Sequence, residues 1–217
     1  MGLKKGAHVF CEKPPSKSLN ELKPIQEFMR DSDLKLMYGF NHRFHSSVIK
    51  AREIVKEKKL GKVINMKGTY GKSKMISFNQ TDWRTDRSKS GGGILLDQGI
   101  HMLDLMNYFG GGFNQVFSII QNSFWNYDVE DNAFILMQND EGLVAQLHSS
   151  ATQWRHTFNL EMTFERGSLI LGGLLTSSKS YGEETLRIIF ADPDNDKGDP
   201  REEIISFEED ISWDEEI

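Results

Sequence analysis

Asp97 and His101 stand four residues apart in Gly91-Gly92-Gly93-Ile94-Leu95-Leu96-Asp97-Gln98-Gly99-Ile100-His101-Met102-Leu103-Asp104, where three glycines run into a helical pattern of apolar residues. That spacing puts two side chains on one helix face, a turn apart. A carboxylate so placed orients an imidazole and raises its pKa toward neutrality, which suits a general acid–base near pH 7. A solvated surface pair has the same spacing and does nothing. Leu96, Ile100 and Leu103 argue that this helix is partly buried. The glycines let a backbone or a ligand approach its first turn.

Other elements must hold this helix in place. Residues 7–11 predict a short buried strand, ended by Glu12-Lys13-Pro14-Pro15 because proline cannot donate to a sheet ladder. Ser18 and Glu21 have the spacing of a helix capping box, and Leu22, Ile25, Phe28 and Met29 follow with helical period. Residues 34–40 predict a second strand, parallel to the first in one βαβ unit. Such a unit is too small to fold alone, and a parallel pair wants both faces covered. Residues 48–59 predict an amphipathic helix with Gly61 at its C-cap, and residues 63–70 a strand with one wet face. A loop over 72–93 leads to the Asp97 helix, which stops at Gly110-Gly111-Gly112. Strands are expected at 115–121, 132–137, 144–149, 158–164, 168–171, 186–190 and 204–207, with a mobile acidic end at 208–217. The fold class is α/β (α+β). It combines the βαβ unit with a large, mainly antiparallel open sheet and helices on one face.

Composition narrows the function. Of 217 residues, 38% are hydrophobic and 27% charged, an ordinary globular balance. A net charge of -6 excludes a general nucleic-acid binder, and no apolar run has membrane-spanning length. The first residues lack the apolar core of a secretory signal. The one cysteine, Cys11, allows no internal disulfide and reads as a small buried hydrophobe, so a cytoplasmic protein is the simplest expectation.

Glu12-Lys13-Pro14, Gly39-Phe40-Asn41-His42-Arg43-Phe44, Trp83-Arg84, Gly91-Gly92-Gly93 with Asp97 and His101, and Val129-Glu130-Asp131-Asn132 occur in that order. This combination resembles the glucose-fructose oxidoreductase / inositol dehydrogenase / MocA family over nearly the whole chain. The resemblance implies hydride transfer between NAD or NADP and a hydroxyl carbon of a sugar, sugar-nucleotide or cyclitol. It also implies an N-terminal Rossmann domain, here its remnant over 1–44, and a substrate-binding and oligomerisation domain over 45–217. No G-x-G-x-x-G phosphate loop occurs, so the chain is expected to be the C-terminal portion of such an enzyme, inactive and without dinucleotide affinity by itself. Which dinucleotide is used stays open.

By the same resemblance Lys13 contacts the nicotinamide ribose and the reacting hydroxyl, beside Glu12 and Pro14, and the Lys13–Pro14 bond is cis. His101 exchanges the hydroxyl proton, and Asp97 either orients His101 or grips the substrate. Arg84 joins the cofactor side. Asn41, Arg43, Tyr70 and Trp83 are candidate substrate contacts. Asp104 reads as a structural hydrogen-bond partner, and Trp125 and Trp154 as packing residues. His42 and His45 lack a third convergent ligand, so no metal site is expected. The expected partners are a carbohydrate-like small molecule and further copies of the chain, with no nucleic acid and no membrane. A different reading makes the chain a non-catalytic dimerisation or binding module derived from that family.

Overall fold

The computed structural model describes residues 2–75, 83–176, 178–194 and 198–217. The stretch 76–82 of the expected loop lies outside them. Strand β1 (Val9–Glu12), helix α1 (Leu19–Arg30) and strand β2 (Leu36–Gly39) form the βαβ unit, with β1 and β2 parallel. The capping box does not form. The Ser18 side chain caps nothing, while the Glu21 carboxylate accepts from the Lys17 N–H at 3.0 Å. The expected burial of β1 is not found: Phe10 is 46% exposed and Cys11 is exposed. Among the described residues β1 has one strand beside it, so most of its side chains face solvent.

A 3-10 turn, Asn41–Phe44, leads into α2 (Ser46–Lys56). This helix ends earlier than expected: Lys58, not Gly61, takes the first left-handed conformation. Strand β3 (Val63–Gly71) follows, then a 3-10 turn at Trp83–Thr85, α3 (Arg87–Ser90), a π turn at Leu95–Gly99 and α4 (Ile100–Gly110). The remaining strands are β4 (Gln115–Gln121), β5 (Asn132–Gln138), β6 (Val144–Ser150), β7 (Thr157–Phe164), β8 (Gly167–Gly172), β9 (Glu184–Phe190) and β10 (Glu202–Phe207). They make one sheet in the order β10-β9-β8-β7-β3-β6-β5-β4, antiparallel except for the β3–β6 pair.

Period-two alternation gives the sheet one buried face. Phe158, Leu160, Met162 and Phe164 of β7 point to the same core as Ile135 and Met137 of β5. Val48 and Ala51 of α2 and Met102, Leu105 and Met106 of α4 close that core. Helix α4 crosses β3 closely at Gly68, where a Cβ would stand 2.6 Å from the Met106 methyl. The other face stays open. Phe117 and Ile119 of β4 lie opposite Leu136 and Phe134 of β5, and all four are exposed.

Part of the end expected to be mobile is packed. Helix α5 (Ser212–Glu216) lies against the Asn41–Phe44 turn, with Ser212 and Glu216 buried. An acidic, turn-rich composition suggested otherwise because a five-residue helix leaves no periodic signal.

Candidate active site

Four elements deliver side chains to one place. The end of β1 brings Lys13, the end of β3 brings Tyr70 and Lys72, the Trp83–Thr85 turn brings Arg84, and the π turn with the first residues of α4 brings Asp97 and His101. The start of this last segment is pinned by the loop that precedes β5. Glu130 accepts the Ile94 N–H on its carbonyl at 3.1 Å and the Leu95 N–H on its carboxylate at 3.2 Å. Those N–H groups are orphans of a helix start and need such acceptors. Gly93 permits the approach, since a Cβ there would stand 2.0 Å from the Glu130 carbonyl oxygen. A backbone, not a ligand, uses this glycine.

The π turn changes what Asp97 does. Its wider winding departs from the α-helical face on which the four-residue spacing argument rested. The carboxylate meets cations instead: Lys72 Nζ at 2.9 Å, Arg84 Nε at 3.3 Å and Lys13 Nζ at 3.9 Å. Lys13 also donates to the Asp97 carbonyl at 2.5 Å. The Lys13–Pro14 peptide bond is cis. Burial raises the Asp97 pKa, but the attraction of Lys72 and Lys13 wins and holds the carboxyl below the usual range. Burial lowers the Lys13 pKa, aided by Lys72 and Arg84 and opposed by Asp97.

His101 is not raised toward neutrality. Burial, seconded by Lys13, drives it down to about 3, and the opposing pull of Asp97 is too small to reverse this. The ring is a neutral imidazole. It stacks on His42 with centroids 3.8 Å apart and planes 16° apart, and Phe40 meets it edge-on at 5.9 Å. Its Nδ1 is buried with no hydrogen-bond partner among the described residues.

The structure gathers Lys13, Pro14, Trp83, Arg84 and Asp97, the last four around a narrow cleft that also touches Ser90, Gly92 and Leu96. Trp83 is half exposed, with the Arg84 guanidinium 4.9 Å over its ring. Tyr70 is buried beside them, its hydroxyl 3.0 Å from His42 Nε2, and burial pushes its pKa well up. Glu12 accepts the Lys13 N–H on its carboxylate at 3.3 Å and lies on an exposed strand. Two expected substrate contacts are spoken for. Arg43 makes a two-pronged pair with Asp104 at 2.6 and 2.7 Å, and Asn41 is buried between His42 and Ser212. Asp104 therefore serves as a structural partner. Trp125 packs with its indole N–H donating to the Ala151 carbonyl at 2.7 Å, whereas Trp154 is 64% exposed against Phe124.

Sequence reasoning missed Lys72, Gln98, Tyr181 and the structural use of His42. Lys72 lies two residues past the expected 63–70 strand, and the end of a strand beside a helix start is where a second cation was worth seeking. Tyr181, which accepts from Gln98 Nε2 at 2.6 Å and meets Tyr70 at 5.4 Å, sits in a loop without pattern. A hollow of about 700 Å³ lies at the opposite end of β3 among Val55, Lys62, Phe109, Leu143 and Phe164, with Glu141 and Glu165 also lining it.

Residues 48–170 match the profile of the GFO/IDH/MocA C-terminal domain. D-glucoside 3-dehydrogenase of Escherichia coli is 30% identical over 167 residues, covering 69% of this chain and 47% of that protein. Levoglucosan dehydrogenase of Pseudarthrobacter phenanthrenivorans is 29% identical over 116 residues, 53% of this chain and 30% of that protein. A solved levoglucosan dehydrogenase in complex with NADH and levoglucosan superposes with a TM-score of 0.79 at 22% identity, over 94% of this chain and 56% of that one. An inositol dehydrogenase homologue complexed with NAD+ from Azotobacter vinelandii gives 0.76 at 22% identity, over 94% and 52%. The chain thus spans about half the length of these solved proteins, and half or less of the two curated relatives just named.

Proposed function

The chain belongs to the GFO/IDH/MocA family, and on that premise we propose that it carries the acid–base half of an NAD(P)-dependent oxidoreductase acting on a hydroxyl carbon of a sugar, sugar-nucleotide or cyclitol. The observation that carries this reading is the convergence of His101, buried at the start of α4, and Lys13, whose side-chain nitrogen is held on the Asp97 carbonyl at 2.5 Å. A neutral imidazole has a ring nitrogen ready to take the hydroxyl proton. Lys13, held beside Asp97, stabilises the alkoxide character that develops at the reacting oxygen. Asp97 anchors Lys13 and Lys72 rather than touching the His101 ring. In the reverse direction His101 returns the proton.

The donors at the end of β1 suit the nicotinamide end of a dinucleotide. Glu12, Lys13 and Pro14 lie where ligands bind in open α/β sheets, with Arg84 beside them. No glycine-rich phosphate loop is present in the sequence to hold the other end. A bound nicotinamide supplies the hydride acceptor or donor. We take residues 1–44 as belonging to the dinucleotide-binding domain and 45–217 as the substrate domain. Trp83 and Tyr70 serve as substrate contacts. The exposed apolar face of β4 and β5 serves as a contact between copies. Among the described residues no helix is long and apolar enough to cross a membrane. The lone exposed Cys11 suits a reducing, cytoplasmic setting.

The test joins this chain to the dinucleotide-binding half of levoglucosan dehydrogenase and follows reduced nicotinamide against a panel of sugars and cyclitols. Turnover that vanishes in Lys13→Met supports the reading. A folded, dinucleotide-binding fusion that turns over none of them overturns it.

A further inference from the structure

His42 belongs to no step described so far, yet its ring is more tightly constrained than that of His101. It is fully buried, with burial first and the neighbouring His101, His45 and Lys13 next in keeping it from charging. Its Nδ1 is 3.0 Å from Asn41 Oδ1, which only accepts, so Nδ1 carries the proton. Its Nε2 is then a lone pair, and the Tyr70 hydroxyl donates to it at 3.0 Å. Asn41 is itself fixed by donating to Ser212 Oγ at 3.2 Å. Both ring nitrogens are thereby occupied, and one tautomer is selected.

This locked ring lies flat on His101, 3.8 Å away. His101 has no comparable restraint, for its Nδ1 lacks a partner and the Asp97 carboxylate is committed to cations. We propose that His42 is the positioning residue of the acid–base step: a shelf, locked by Asn41 and Tyr70, that fixes the plane of His101 and refuses the proton His101 receives. The proposal rests on the function stated above only for its catalytic consequence; the shelf itself is a property of this chain. A proton taken from a hydroxyl stays on His101, because His42 has no free nitrogen to accept it, and is available for return. The groups facing His101 are Lys13 from the end of β1, Asp97 from the π turn, and His42 and His45 from the turn before α2.

The test reads the imidazoles of the 217-residue chain directly, by nitrogen-15 NMR of histidine-labelled protein. Wild type is expected to show one His42 tautomer, protonated on Nδ1, and a His101 that does not titrate between pH 5 and 8. His42→Leu fills the space without a flat face. Its His101 should mix tautomers and titrate at least one unit higher than in wild type. His42→Phe restores the flat face and should return His101 to the wild-type behaviour. Asn41→Ala removes the acceptor on Nδ1 and should release the His42 tautomer, since the Tyr70 hydroxyl pairs with Nε2 as donor or as acceptor, which keeps the test decisive if His42→Leu does not fold. A His101 unchanged in His42→Leu, a His42→Phe that behaves like Leu, or a His42 tautomer unmoved in Asn41→Ala overturns the proposal. In the fusion enzyme, His42→Leu should lower kcat about 30-fold with KM nearly unchanged, and His42→Phe should recover most of it. An inactive wild-type fusion with the NMR result intact removes the function and leaves the shelf standing.

Discussion

The Lys72 ammonium lies 2.9 Å from one carboxylate oxygen of Asp97, and the Lys13 ammonium 3.9 Å from the other. Two lysines from different sheets are thus held by one largely buried anion. Asp97→Asn leaves them to repel each other. Breaking a buried ion pair from one side destabilises by roughly 3 kcal/mol, an upper figure here because the cleft is partly wet. Denaturant unfolding is expected to register a large part of that loss. Wild-type stability in Asp97→Asn would mean that solvent already screens the lysines.

Lys13→Met and His101→Ala are each expected to lower kcat of the fusion enzyme by about 10²- to 10⁴-fold, the usual scale for removing an acid–base or charge-stabilising group. Steady-state turnover with the best substrate measures this. Either variant with kcat near wild type removes its residue from the proposed chemistry.

Acid should weaken the fold well above the carboxylate range. His101 is held to about 3 against an ordinary 6.5, and His42 is also held well below 6.5. Between these limits the unfolded chain binds protons that the folded chain refuses, so stability falls as pH drops, by up to about 1.4 kcal/mol per pH unit for each histidine. Between pH 7 and pH 5 Asp97 does not contribute, because even its ordinary value of 3.8 lies below that range; with its folded pKa lowered further, its stabilisation is lost only in stronger acid. Urea unfolding at pH 7 and pH 5 should show the loss, and His101→Gln should reduce it. A flat profile would show that these rings are wet.

Glu130→Ala removes the carboxylate cap on the Leu95 N–H and should destabilise by about 1–2 kcal/mol. Gly93→Ala is predicted to be far worse, since its methyl would meet the Glu130 carbonyl at 2.0 Å. Thermal melts of the two variants give the order directly. A Gly93→Ala protein that melts above Glu130→Ala would mean the two segments separate easily.

Phe134→Lys places a charge on the open face of the sheet, opposite Ile119. If copies of the chain meet there, light scattering should find smaller particles than for wild type, with unfolding little changed because the side chain is already exposed. Unchanged particle size would move the contact elsewhere or abolish it.

Much of this architecture is legible in the residues. Alternation in β5 and β7 names both faces of the sheet, and the run of glycines marks a close approach that Glu130 duly makes. The site is legible in its membership more than in its contacts. Lys13, Asp97 and His101 meet, but the expected Asp97–His101 couple is replaced by cations on one residue and an imidazole stack on the other. A single inserted residue per turn produces that change, and nothing in the apolar spacing distinguishes a π turn from an α turn. Arg43 and Asn41 are expected to line the cleft from their place at the end of the second strand. Their partners Asp104 and Ser212 lie 61 and 171 positions away, and such pairings are tertiary facts.

The parallel pairing of β3 with β6 bears on how the molecule comes into being. β3 is made early in the chain, yet both its neighbours, β6 and β7, come only after β4 and β5. A ladder of that kind closes a long loop before its contacts reward the closure, which slows its formation. Tyr70 and Lys72 ride on the end of this strand. The cleft is accordingly among the last regions to mature, and a nascent chain that has extended only through α4 holds most of the reactive side chains without the framework that makes them a site.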